Sequence, residues 1–251
     1  MALGPNYDAR TRPYSPAGAV AGEVDAGLRA YMLRVYNYMA SGLLLTGIVA
    51  YTVAQTPALM ELLYSATPDG RLQPTLLAYI VMFAPLAFIL VLSFGINRIS
   101  ASTAQALFWV FSVVMGLSIT HIFLTYTGTS IARVFFISAA TFAGMSLYGY
   151  TTKRDLSKFG SFLLMGLIGI IIAGLVNLFL QSSALQFVIS VIGVLIFVGL
   201  TAHDTQTIKH MYYESDSADT MTKKAVMGAL SLYLDFLNLF LLLLQLFGDR
   251  K

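Results

Sequence analysis

Long apolar runs separated by short polar segments set the pattern of this chain. About 20 consecutive apolar residues carry a helix across a bilayer. Runs of that length occupy residues 37–55, 75–97, 105–126 and 134–152. Residues 159–202 then continue without a charged side chain for about two crossings. Gln181, Ser182 and Ser183 near the middle of that stretch mark a turn and divide it into spans five and six. Residues 225–247 form the seventh span, and Pro85 is expected to bend the second. Ahead of the first span, residues 1–22 are rich in Pro, Gly and Ala without a period, which predicts a disordered tail. Residues 23–36 place Leu28, Tyr31, Met32 and Val35 at helical spacing, with Arg29 and Arg34 elsewhere on the helix. That pattern predicts an interfacial helix leading into the membrane. The expected fold is all-α and polytopic, with seven transmembrane helices within residues 23–251.

Composition agrees. Apolar residues make up 57% of the 251, and 11% are charged, against about 25% in a soluble domain. Mean hydropathy is +0.76. The net charge of +3 is accounted for by Lys and Arg in loops and calls for no nucleic acid. Seven spans with the N-terminus inside put every Lys and Arg except Arg71, Arg133, Arg250 and Lys251 on the cytoplasmic side. This positive-inside bias leaves the C-terminus outside. The chain has no Cys, which excludes disulfides, thiol catalysis and Cys-based metal centres. No removable signal peptide is apparent, so the first span serves as the targeting signal.

Asp235 lies well inside the seventh apolar span. An ionisable carboxyl at bilayer depth costs about 2.5–3.5 kcal/mol on insertion scales, so it is rarely there without a function. Gly228, Ser231, Asp235, Asn238 and Gln245 recur at three- and four-residue steps, with Leu242 on the same line. In span six, Ser190, Gly193, Thr201 and Asp204 form a similar line. Polar residues sharing one stripe face protein or water rather than lipid, so these helices are expected to be central. Small and polar residues also serve as packing contacts, which suffices for the Ser and Gly positions but not for a carboxylate. Taken alone, Arg98 at the inner end of span two marks the cytoplasmic side and snorkels to the headgroups. His121 lies at the opposite end from His203 and His210, which argues against a His-based metal site. Glu214, Asp216 and Asp219 lack the ligand spacing of a calcium loop and read as a solvated linker. Ser112, Gly116 and Thr120, at four-residue steps, predict a close helix contact. No phosphate loop, dinucleotide fingerprint or hydrolase motif is present, and no cofactor is required. An intramembrane aspartyl protease would need Gly-x-Gly-Asp, whereas Asp235 follows Tyr233 and Leu234. The chain is read as a non-enzyme.

Two segments are similar to signatures of the Bax inhibitor-1 family. They are Tyr150-Thr151-Thr152-Lys153-Arg154-Asp155-Leu156-Ser157 before span five and Thr201-Ala202-His203-Asp204-Thr205-Gln206-Thr207-Ile208 closing span six. The resemblance extends over about residues 23–248 and points to a bacterial member in the inner membrane. It implies a last helix surrounded by the other six and a pH-sensitive calcium leak. It also implies a pH-sensing gate formed by Asp204 and Asp235, with Arg98 as their latch. Two carboxyls sharing an interior site do not ionise together readily, so such a pair holds a proton between them. Calcium would be a transient guest of Asp204 and Asp235. Ser231, Asn238 and His203 are secondary candidates; His203 stands where an aromatic or small residue is expected and adds a group that titrates near neutral pH. The competing expectation is a regulatory protein that docks onto a membrane quality-control protease.

Overall fold

The structure is a computed structural model that describes residues 17–66 and 72–251. Helix α1 (Ala17–Gln55) runs unbroken through the segment read as interfacial and on through the first span. No Pro or turn cluster interrupts residues 23–55, so one helix stands where two segments were expected. Of the expected tail, residues 1–16 lie outside the described residues, and the chain is helical from Ala17. After α2 (Pro57–Leu63), the short strands β1 (Tyr64–Ala66) and β2 (Leu72–Pro74) pair antiparallel, with Tyr64 opposite Pro74. The remaining elements are α3 (Leu76–Gly95), α4 (Ala101–Ser118), α5 (Ile122–Thr125), α6 (Gly128–Thr151), α7 (Ser157–Leu180), α8 (Ser183–His210) and α9 (Ala218–Phe247). The third span is therefore interrupted: its helix ends at Ser118 and resumes for one turn in α5.

The sequence marks most helix starts. Thr75, Ser100, Thr127, Ser182 and Ser217 are N-caps whose hydroxyls accept a hydrogen bond from the backbone N–H three residues on. Each such cap is worth about 0.5–2 kcal/mol. The expected turn between spans five and six falls where Gln181 closes α7 in the left-handed conformation, φ 49°, and Ser182 opens α8. Asn177 secures it: its backbone C=O accepts from the Gln181 N–H, and its side-chain Oδ1 accepts from the Ser182 N–H at 3.0 Å.

Among the described residues, seven helices are long and apolar enough to cross a membrane, and the last is by far the most enclosed. In its most apolar stretch 67% of residues are buried, against 6% for α7 and 11% for α3. Helices α1, α4, α6 and α8 pack along α9, whereas α3 packs on α4 and α7 on α8. Around α9 the core gathers Phe108, Phe111, Leu232, Tyr233 and Leu239, all fully buried. Tyr233 edges against Phe108 and Phe111, and its hydroxyl meets Thr46 Oγ1 at 2.7 Å. Thr46 in turn donates to the Ser112 carbonyl at 2.8 Å, which ties α1, α4 and α9 together. Ser146 joins Tyr36 (2.6 Å) to Thr205 (3.0 Å) and links α6 to α1 and α8. The expected close contact on α4 is real: a Cβ on Gly116 would lie 2.7 Å from the Thr46 carbonyl oxygen. At one end of the bundle lie the loops carrying Arg98, Lys153 and Arg154 and the start of α9 with Lys223 and Lys224; this is the basic end. At the opposite end Arg133 reaches Asp249 (3.1 Å) and the Phe247 carbonyl (3.0 Å), fastening the C-terminal residues to the start of α6.

A Cβ on Gly149 would sit 2.2 Å from the Ala202 carbonyl oxygen, a clash with backbone, whereas Gly169 has nothing within 4 Å. Gly149→Ala is therefore expected to push α6 from α8 and to cost about 1–3 kcal/mol. Gly169→Ala should be neutral or stabilising by up to about 1 kcal/mol through helix propensity. Thermal unfolding of both variants in the same detergent is the check, with a lowered Tm expected for Gly149→Ala alone.

Candidate functional site

Neither α3 nor α7 packs along α9, and between them a cavity of about 1120 Å³ opens onto the polar stripe of that helix. Ser231, Asp235, Asn238 and Gln245 all line it. Gly228, on the same sequence line, faces Ile208 instead and serves packing. The far walls are apolar, from Met82, Pro85 and Leu86 of α3 to Leu164 and Leu167 of α7. Most polar lining groups therefore lie on the floor formed by α8 and α9, with Ser118 of α4 and Ser161 of α7 on the walls.

Asp204 of α8 lines the same cavity. The register of the two antiparallel helices shows how the carboxyls stand. Ile208 lies against Gly228 and Leu242 against Gly193. With a rise of 1.5 Å per residue, Asp204 is level with about residue 232, and Asp235 lies about 5 Å further from the basic end. Helix α8 runs past Asp204 to His210, which is what brings Asp204 to this depth. Both carboxyls therefore border one space. Their surroundings differ. Asp204 is half-buried, with His203 Nδ1 at 2.8 Å from its Oδ1. Asp235 is 5% exposed, and its Oδ2 is buried without a hydrogen-bond partner. Gly160 of α7 makes room for the imidazole, since a Cβ there would lie 2.5 Å from His203 Nε2. Asn238 Nδ2 donates to the Leu234 carbonyl at 2.8 Å.

Arg98 is placed differently from the expected latch. It lies on the turn after α3, is exposed, does not line the cavity and forms no ion pair among the described residues. Because α3 packs on α4 rather than on α9, its end is held away from both carboxyls in this conformation. In the acidic segment, Asp216 pairs with Lys224 (2.6 Å), and Asp219, in the first turn of α9, pairs with Lys223 (3.1 Å). Among the described residues, no group of three or more His, Asp or Glu could hold a metal ion.

The two signature segments are bonded to each other. Gln206, buried on α8, donates from Nε2 to the Arg154 carbonyl and accepts the Leu156 N–H at Oε1, both at 2.8 Å. Lys209 Nζ donates to the Tyr150 carbonyl at 2.8 Å and lies over the Tyr150 ring. Asp155 Oδ1 accepts the Ser157 N–H at 2.9 Å, and this bond holds its exposed carboxyl below the usual carboxylate range. These contacts anchor the loop before α7 to the helix that carries Asp204. The clamp formed by Gln206 was not foreseen from sequence, although its residue lay within a noted segment. Gln186 and Asn177 were also missed; each is a lone amide in an apolar run, the signal that singled out Asp235.

The helices and the enclosed carboxyls define a polytopic integral membrane protein with an ionisable interior. The family model described as "Inhibitor of apoptosis-promoting Bax1" matches residues 28–251, and the chain belongs to that family, the Bax inhibitor-1 family. It is 51% identical over 227 residues to "Uncharacterized protein RP147" of Rickettsia prowazekii, covering 90% of this chain and 92% of that one. It is 49% identical over 228 residues to "Inner membrane protein YbhL" of Escherichia coli K12, covering 90% and 94%. A Caulobacter vibrioides protein is 48% identical over 239 residues, covering 94% and 95%. The chain is accordingly an integral, multi-pass inner membrane protein.

Replacing Gln206 by Leu leaves the buried Leu156 N–H without its acceptor, at a cost of about 1–3 kcal/mol. The expected result is a lower Tm in detergent together with faster proteolysis at residues 152–156. An unchanged cleavage pattern would show that the clamp does not hold the loop. The Asp155 bond adds a pH dependence. A carboxyl held low stabilises the loop above its unfolded-state pKa, and that contribution is lost as pH falls through the folded value. Acidification should therefore loosen the loop in the native protein but not in Asp155→Asn, as read by the same proteolysis.

Proposed function

We propose that the protein is a pH-sensitive leak for cations, calcium among them, gated by protonation of Asp204 and Asp235. The observation that carries this reading is that both carboxyls line one cavity beside the central helix, with an unpartnered oxygen on Asp235. Calcium favours carboxylate and amide oxygens, and Asn238 lines the same floor. When both acids are ionised, the pair offers a cation a transient site. When they hold a proton, that site weakens. His203 Nδ1 lies 2.8 Å from Asp204 Oδ1 at the edge of the same site. With the basic end in the cytoplasm, the pair lies toward the inner mouth.

Arg98 enters the proposal as the latch of a closed conformation. Reaching the pair requires the basic end of α3 to swing toward α8 and α9. Among the other spans, α3 packs mainly on α4, so this movement breaks few contacts. Apolar walls on α3 and α7 let the cavity close by helix approach, while the polar floor stays in place. Protonation then shifts the balance between the latched and unlatched states.

Calcium flux into vesicles reconstituted with the purified protein, measured from pH 5 to 8, tests the reading. The wild type is expected to show a pH-dependent flux, and Asp204→Asn and Asp235→Asn are each expected to flatten it. Arg98→Gln should raise flux under conditions where the wild type is closed. A pH profile unchanged in both Asn variants would remove the pair as sensor. Absence of flux from the purified wild type would favour a regulatory, partner-binding role instead.

A further inference from the structure

We infer that three side-chain amides, Gln245, Gln186 and Asn177, form a second gate at the end of the bundle opposite the basic loops. It would connect the carboxyl-lined cavity to the other face of the membrane. The inference rests on the leak reading and adds the exit that a leak requires.

A second cavity, of about 390 Å³, lies at that end between α7, α8 and α9. Its lining is largely polar, including Asn177, Gln186, Ser190 and Gln245. Gln245 also lines the carboxyl cavity and so stands between the two. Its amide oxygen accepts from Gln186 Nε2 at 2.7 Å and from Ser190 Oγ at 2.9 Å. Gln186 is held in turn by Asn177 Nδ2 at 3.1 Å. The chain of amides therefore runs from α7 through α8 to α9.

Polar residues at a helical hairpin often do no more than close the turn, and Asn177 does close it, through the Ser182 N–H. Gln245 has no such local duty. Its oxygen is taken up by donors on another helix, and its position continues the stripe of Asp235 and Asn238. An amide oxygen can replace part of a cation's hydration shell. While Gln186 and Ser190 occupy it, that oxygen is less available to an ion. Releasing Gln186 leaves the oxygen with the Ser190 hydroxyl alone, which has a second acceptor in the Gln186 carbonyl at 2.9 Å, and loosens the seam between α8 and α9. Arg250 also lines this outer cavity and is exposed; its charge opposes cation entry and holds the resting leak low.

The two partners of one hydrogen bond are then expected to act in opposite directions. Gln186→Leu should raise calcium flux about tenfold, and Gln245→Leu should lower it about tenfold, as one hydrogen bond to a charged group implies. Neither should move the pH midpoint set by the carboxyl pair. A structural role alone predicts that both substitutions change flux in the same direction, and that result would overturn the gate. The chain has no Cys, which permits a readout independent of flux. The cysteine of Asn238→Cys should react with a membrane-impermeant thiol reagent added on the face opposite the basic end. It should react about tenfold faster when combined with Gln186→Leu. Equal labelling with and without Gln186→Leu, or none in either, would overturn the connection. Absence of flux in the wild type would instead defeat the leak reading and leave the labelling to decide whether the two cavities communicate.

Discussion

Housing one carboxyl inside the membrane is the constraint on which this structure depends. Asp235 cannot face lipid without a cost of about 2.5–3.5 kcal/mol on insertion scales, so the helix that carries it must be enclosed. Helices α1, α4, α6 and α8 cover the apolar sides of α9. The polar stripe is left to a cavity walled on its far side by α3 and α7. Centrality of the last helix and the presence of the cavity are two results of the same requirement.

The surrounding contacts divide into rigid and movable sets. Around α9 the packing is dense and cross-linked by buried hydroxyls, with Thr46 bonded to Tyr233 and Ser146 to Thr205. The loop before α7 is fastened to α8 by Gln206. Helix α3 is held mainly by α4 and the short elements that precede it. A fixed polar floor with a less encumbered wall is the mechanical arrangement a gated path requires. The proposed amide gate would place a second control point at the opposite end, made of neutral groups rather than carboxyls.

Several features were legible in the sequence because they depend on local chemistry. The turn at Gln181 and Ser182 could be read from polar residues interrupting an apolar run of double length. The stripe of Ser231, Asp235 and Asn238 could be read from helical periodicity, and its residues do share a cavity. Other features depend on how helices meet. A continuous α1 replaced two expected segments, because an interfacial helix and a span join when no breaker separates them. The relation of Asp204 to Asp235 needed the offset between α8 and α9, which spacing within either helix does not contain. Arg98 stands apart from both acids because α3 lies against α4.

The sequence by itself determined that the chain crosses the membrane seven times, where five of its helices are capped, and which face of the last helix must avoid lipid. Hydropathy, capping and periodicity are properties of neighbouring residues along one helix, so a single chain of letters carries them. Only the tertiary structure decided that α3 and α7 do not pack along α9, that two acids look into one space, and that Gln245 lines both that space and a second. Those outcomes depend on lateral packing between helices distant in sequence, where a glycine's missing Cβ or a single buried amide sets which faces meet.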